Sequence, residues 1–152
     1  MGHVAGSELD GRTIPYDNSL EGLLSKKKDF IGKRSLSREA FIANDRQKVV
    51  GVVPIDKKTS LPEGSHLVKD SNAPIPNPKL GYISASCWSV EHNNPFSLAI
   101  LKDGKNMIGE KLFVMSPLKN KVIPVEIVSS HYVDPKGELS LIHISEPTRR
   151  RG

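Results

Sequence analysis

Leu80-Gly81-Tyr82-Ile83-Ser84-Ala85-Ser86-Cys87-Trp88 and Phe96-Ser97-Leu98-Ala99-Ile100-Leu101 are two short runs of aliphatic, aromatic and small residues bounded by turn formers, and they read as strands. Working outward, Lys102-Asp103-Gly104-Lys105 is the strongest hairpin signal in the chain. Beyond it, Lys111–Met115 and Val122–Val128 read as two more strands joined by a loop at Lys119-Asn120-Lys121, with Pro124 expected on an edge or at a bulge. On the N-terminal side, Ala73–Pro78 carries three prolines and predicts an extended surface loop. Leu61–Ser65 predicts a turn into the strand His66-Leu67-Val68. The β-branched run Lys48–Val53, stopped by Pro54, predicts another strand. About six short strands with almost no helix between them favour a closed or nearly closed antiparallel barrel, because closure removes unpaired edges.

Before Gln47 the pattern is mixed. His3-Val4-Ala5 reads as a short strand and Ser7–Pro15 as a loop, with Gly11 suited to positive φ. Leu20, Leu23 and Leu24 have the spacing of a helical turn. Asp29 is expected to cap a helix starting at Phe30, with Gly32 in its first turn or allowing close packing, and Phe30, Ile31 and Leu36 facing the core. Ser37 is expected to cap a second helix, Arg38–Ala43, ended by Asn44-Asp45.

The 152 residues suit one domain, or a small domain plus part of another. With 37% hydrophobic and 5% aromatic residues, the chain predicts a small core, or one completed by a partner surface. No apolar run approaches the ~20 residues that span a bilayer, and no leader pattern opens the chain, so no membrane partner is expected. A single cysteine, Cys87, excludes an internal disulfide framework and fits a cytoplasmic location. The formal charge is +5, but the clusters Lys26–Lys28, Lys57-Lys58 and Arg149–Arg151 lack interleaved aromatic residues, so they read as solvated surface and no nucleic-acid partner is expected. Leu139–Arg149 matches the translation of a transposase-type sequencing adapter. Residues 139–152, net +2, are therefore expected to be a disordered, non-native tail. Met1 is read as an internal position of a longer chain.

Four segments carry a family resemblance. Lys26-Lys27-Lys28-Asp29-Phe30-Ile31-Gly32-Lys33-Arg34-Ser35-Leu36 resembles the hinge before the terminal barrel of the aminomethyltransferase (glycine cleavage T-protein) superfamily. Its triple lysine and Lys-Arg-Ser-Leu ending are most similar to the branch formed by sarcosine oxidase α subunits. Gly6–Pro15, with Asp10, Thr13 and Pro15, resembles a family loop. Gly81–Ser89 with Pro95–Leu101 resembles the family's paired barrel strands, and His131–Glu138 its closing segment. The resemblance covers 2–138. It implies an α+β, mainly β chain: 1–44 ends a folate-binding domain, and 45–138 is a C-terminal antiparallel β-barrel of about six strands that packs on the folate site.

For the intact protein the resemblance implies an oxidoreductase. Sarcosine is demethylated to glycine with hydrogen peroxide, and the one-carbon unit passes to tetrahydrofolate. FAD, FMN and NAD would sit elsewhere in the complex, and the other sarcosine oxidase subunits would be the partners. The family's catalytic aspartate and pterin-binding carboxylate fall before Met1, so no catalytic residue and no metal ligand is expected in this chain. Two alternatives stay open: an aminomethyltransferase of the glycine cleavage system, and a non-catalytic folate-binding or interaction module.

Tyr82 and Trp88 are the candidate cofactor-binding residues, on the rim of a folate pocket, set against cross-strand packing in a chain poor in aromatics. Asp10 reads as a turn residue rather than an acid, because Asp-Gly is a strong turn pair. Cys87 reads as a buried structural thiol, with no basic neighbour to lower its pKa. The five histidines lack metal-ligand spacing, and no glycine motif cradles a phosphate.

Overall fold

The computed structural model describes residues 8–9, 11–43, 45–72, 77–116 and 119–133. Among them are a 3-10 turn at Glu21–Leu23 and two one-turn helices, α1 (Lys33–Leu36) and α2 (Glu39–Ile42). Six strands follow: β1 (Gln47–Pro54), β2 (His66–Val68), β3 (Gly81–Ser89), β4 (Asn94–Lys102), β5 (Lys111–Ser116) and β6 (Lys121–Val128). The strands close into an antiparallel barrel in the order β1-β4-β3-β2-β5-β6, with β6 returning to β1.

Alternation of side chains sorts each strand between inside and outside. The interior is filled by aliphatic side chains from all six strands, including Val52, Leu67, Ile83, Leu101, Val114 and Ile127. Leu61 joins them from the loop before β2, where its carbonyl accepts a 2.6 Å bond from the Ser86 hydroxyl. β5 and β6 present their other face to solvent and read as alternating strands. β1 and β4 are buried on both faces, so they read as continuous apolar runs. Their outer side chains Val49, Val53, Phe96, Leu98 and Ile100 form a second cluster, completed by Tyr82, Val128 and Tyr132. The Tyr132 ring stacks on Phe96, with centroids 4.9 Å apart.

Several sequence expectations fail for identifiable reasons. The Asp103-Gly104 pair is not a hairpin: β4 and β5 are not neighbours, and 103–110 crosses the barrel end instead. Gly104 is there because an added Cβ would stand 2.7 Å from Val50 Cγ1. The chain reverses into β4 after Val90–Asn93, where Asn93 has φ 48°, and into β6 after Asn120 at φ 44°. Pro124 lies in the wall of a closed barrel without a bulge. It is tolerated because the β1 ladder stops one residue earlier, at Val125, and Ile55 N–H donates to the Pro124 carbonyl.

The helices also differ. α1 starts at Lys33 after Gly32, which sits outside the helix at φ 96°. Asp29 does not cap it but pairs with Lys33 Nζ at 3.1 Å. The Ser37 hydroxyl turns back to the Arg34 carbonyl instead of capping α2. Gly11 occupies a turn without positive φ. Phe30 and Ile31, which precede α1, are exposed and Leu36 is only half-buried, so none of the three joins the core. Cys87 is exposed, since its position opposite Phe96 lies on the barrel's outer face. Asp10, His3–Ala5, Asn44 and 139–152 lie outside the described residues.

Gly81 tests the closeness of β3 to β4. A Cβ there would meet the Ile100 carbonyl oxygen at 2.1 Å, a backbone atom that cannot swing away. Gly81→Ala should lower stability by about 1–3 kcal/mol, read as a reduced urea midpoint with unchanged m.

Candidate functional site

A cleft of about 250 Å³ opens on the outer face of the barrel wall. Val49 of β1, Ile100 of β4 and Tyr82 of β3 lie side by side on its floor. Arg12, Thr13, Asp17 and Asn18 form one wall, and Arg46, Gln47 and Lys48 the other.

The wall from the N-terminal segment is held by one ion pair. Asp17 is buried, and its carboxylate accepts from Arg46 Nε at 3.1 Å and Arg46 Nη2 at 2.5 Å. The Ile14 N–H donates to the same carboxylate at 3.1 Å. The guanidinium also donates to the carbonyls of Ala40 and Arg12, at 3.2 and 3.0 Å, and lies over the Phe41 ring. Its pKa is raised, first by the hydrogen bond to Asp17, against an opposing effect of burial. The Asp17 carbonyl takes the Val49 N–H at 2.7 Å, which extends β1 sideways where β6 no longer pairs with it. Next to it, Asn18 Nδ2 donates to the Glu8 carbonyl at 3.3 Å, and the buried Asn18 Oδ1 has no partner among the described residues.

Both sequence candidates lie on β3, but only Tyr82 reaches the cleft. A strand with strict alternation would put residues six apart on one face. Here the register slips between Ile83 and Ala85: Tyr82 stands opposite Ile100, while Trp88 stands opposite Pro95. The irregularity inverts the parity, so Trp88 points to the side opposite Tyr82 and is 54% exposed. Asp17, Asn18, Arg46 and Lys48 were not singled out from sequence. Asp17 and Arg46 are far apart in the chain, and no local pattern marks a long-range pair. Among the described residues no group of histidine, cysteine or acidic residues could hold a metal.

The one carboxylate that lines the cleft, Asp17, is held in the ion pair with Arg46. Three donors already engage the Asp17 oxygens, and Lys48, Arg12 and Tyr82 also line the cleft. Its volume is below the roughly 300–1,000 Å³ that encloses a drug-sized molecule.

The fold defines the class first. The barrel and its N-terminal segment match the crystal structure of glycine cleavage system aminomethyltransferase T from Bartonella henselae, with a TM-score of 0.65 over 85% of this chain and 34% of that chain, at 16% identity. The chain thus has the aminomethyltransferase fold of the T-protein. Sequence then points to a particular branch. The chain is 36% identical over 139 residues to sarcosine oxidase subunit alpha of Rhizobium meliloti (strain 1021), covering 90% of this chain and 14% of that protein. It is 35% identical over 136 residues to the same subunit of Corynebacterium sp. (strain P-1), covering 88% and 14%. An aminomethyltransferase of Thermosipho melanesiensis is 25% identical over 123 residues, covering 81% and 31%. No family model matches. The chain is therefore a homologue of one segment of sarcosine oxidase α subunits, and it spans about 14% of their length.

Arg46→Ala would leave Asp17 buried without its counter-charge. The expected loss is about 3 kcal/mol, measured by chemical denaturation, with Arg46→Lys losing less because it keeps the charge but not the fork.

Proposed function

We propose that this chain is the terminal portion of a sarcosine oxidase α subunit, with 1–44 ending its folate-binding domain and 45–138 forming the barrel that closes on the folate site. The observation that carries this reading is the 36% identity along 90% of the chain. In the intact, cytoplasmic protein, sarcosine would be oxidised to glycine with hydrogen peroxide. Bound tetrahydrofolate would supply the amine that captures the one-carbon unit. The flavins and NAD, like the catalytic carboxylates, belong to other parts of the complex.

The cleft fits part of a folate rather than the whole. A pterin needs an accessible carboxylate, and Asp17 is buried and already held by Arg46 and the Ile14 N–H. The anionic glutamyl end needs cations, and Lys48 and Arg12 line the cleft beside the Tyr82 ring. The aminomethyltransferase reading is weaker, because identity falls to 25% on that branch.

Expression of the intact gene product tests the assignment. Sarcosine-dependent hydrogen peroxide, with tetrahydrofolate converted to methylenetetrahydrofolate, is the expected result. Activity only with an aminomethyl-lipoyl donor would move the protein to the other branch. The 152-residue chain alone should form no peroxide from sarcosine and bind tetrahydrofolate weakly or not at all by calorimetry. Tight binding would show that this segment holds a complete folate site.

A further inference from the structure

A groove of about 790 Å³ separates the 3-10 turn from α1 and α2. Leu24, Phe30, Leu36 and Phe41 make it apolar, and Ile42 at its edge is 61% exposed. Neither helix buries a single residue, and Ile31 next to the groove stands wholly in water. Contiguous apolar surface of this kind marks an interaction site.

The rim gives the occupant's chemistry. Lys26, Lys33, Lys48 and Lys105 line the groove, and Glu21 is the one acid among its lining residues. Lys105 pairs with Glu21 and Lys33 with Asp29, whereas Lys26 and Lys48 form no ion pair among the described residues. A second copy of the chain would bring a like-charged rim against this one, which costs affinity. A segment with an apolar stripe flanked by carboxylates matches both floor and rim. The relatives are named as subunits, and this chain spans 14% of their length. We propose that the groove docks an acidic amphipathic segment of a partner polypeptide. Lys48 lines both the groove and the cleft of the folate reading, so the charge test uses Lys26 and Lys33, which line the groove and not the cleft.

The probes are two labelled helical peptides with the same leucine stripe, one with glutamate and one with lysine on the polar face. The glutamate peptide should bind the 152-residue chain at least roughly tenfold tighter at low salt, and the preference should shrink in about 0.5 M salt. Phe30→Asp with Ile42→Asp should abolish binding without changing the unfolding curve, since both side chains are substantially exposed. Lys26→Glu with Lys33→Glu should remove the preference even if the first pair of changes perturbs the fold. Equal binding of both peptides, or binding that survives both pairs of changes, overturns the proposal. So does self-association that Phe30→Asp abolishes, which would make a second copy the occupant.

Discussion

The bidentate pair between Asp17 and Arg46 decides where everything before the barrel lies. A carboxylate out of water is costly unless it is paired and hydrogen-bonded, and here three donors from two distant parts of the chain engage it. The same guanidinium reaches the Arg12 and Ala40 carbonyls, so one side chain ties together the N-terminal segment, α2 and the start of β1. Buried pairs of this kind add little net stability over an apolar replacement. What this one contributes is placement. The N-terminal segment lies against the outer barrel wall, and the cleft exists only because it does.

That wall explains the chain's composition. In a barrel with one solvated surface, every strand would alternate. β1 and β4 are instead apolar on both faces, because their outer side chains sit under the N-terminal segment and Tyr132. A chain with 37% hydrophobic residues thus fills two clusters, and little apolar material remains for the helices. Neither helix therefore buries a residue.

The strands were legible because period and turn residues are local signals. β1, β2, β3, β4, β5 and β6 all fall where the apolar runs put them. Closure could be argued from strand number and the penalty on open edges. Strand order could not: Asp103-Gly104 carries hairpin wording, yet Gly104 is selected by contact with Val50, a residue remote in sequence. Of the residues that line the cleft, the sequence singled out Tyr82, through the family resemblance of its strand; the scarcity of aromatic residues argued for packing instead, and Tyr82 also packs on the outer cluster. The ion pair and Lys48 were missed, since their meaning depends on which segments the fold brings together. The helix caps at Asp29 and Ser37 failed because each side chain had a nearer partner, in Lys33 and in the Arg34 carbonyl.

The register slip in β3 splits that strand into two independently aimed halves. Residues before it are phased by Gly81 and Ile83 against β4, and residues after it by Ser86 and Ser97. A one-residue insertion or deletion in an ordinary strand would turn every later side chain inside out. Here deletion of Ser84, the one extra residue, would join Ile83 to Ala85 with their β4 partners unchanged, leaving Tyr82 and Trp88 on the faces they already occupy. The irregularity is thus a place where related chains can differ by one residue in length while both faces of the strand, and the barrel interior, keep their packing.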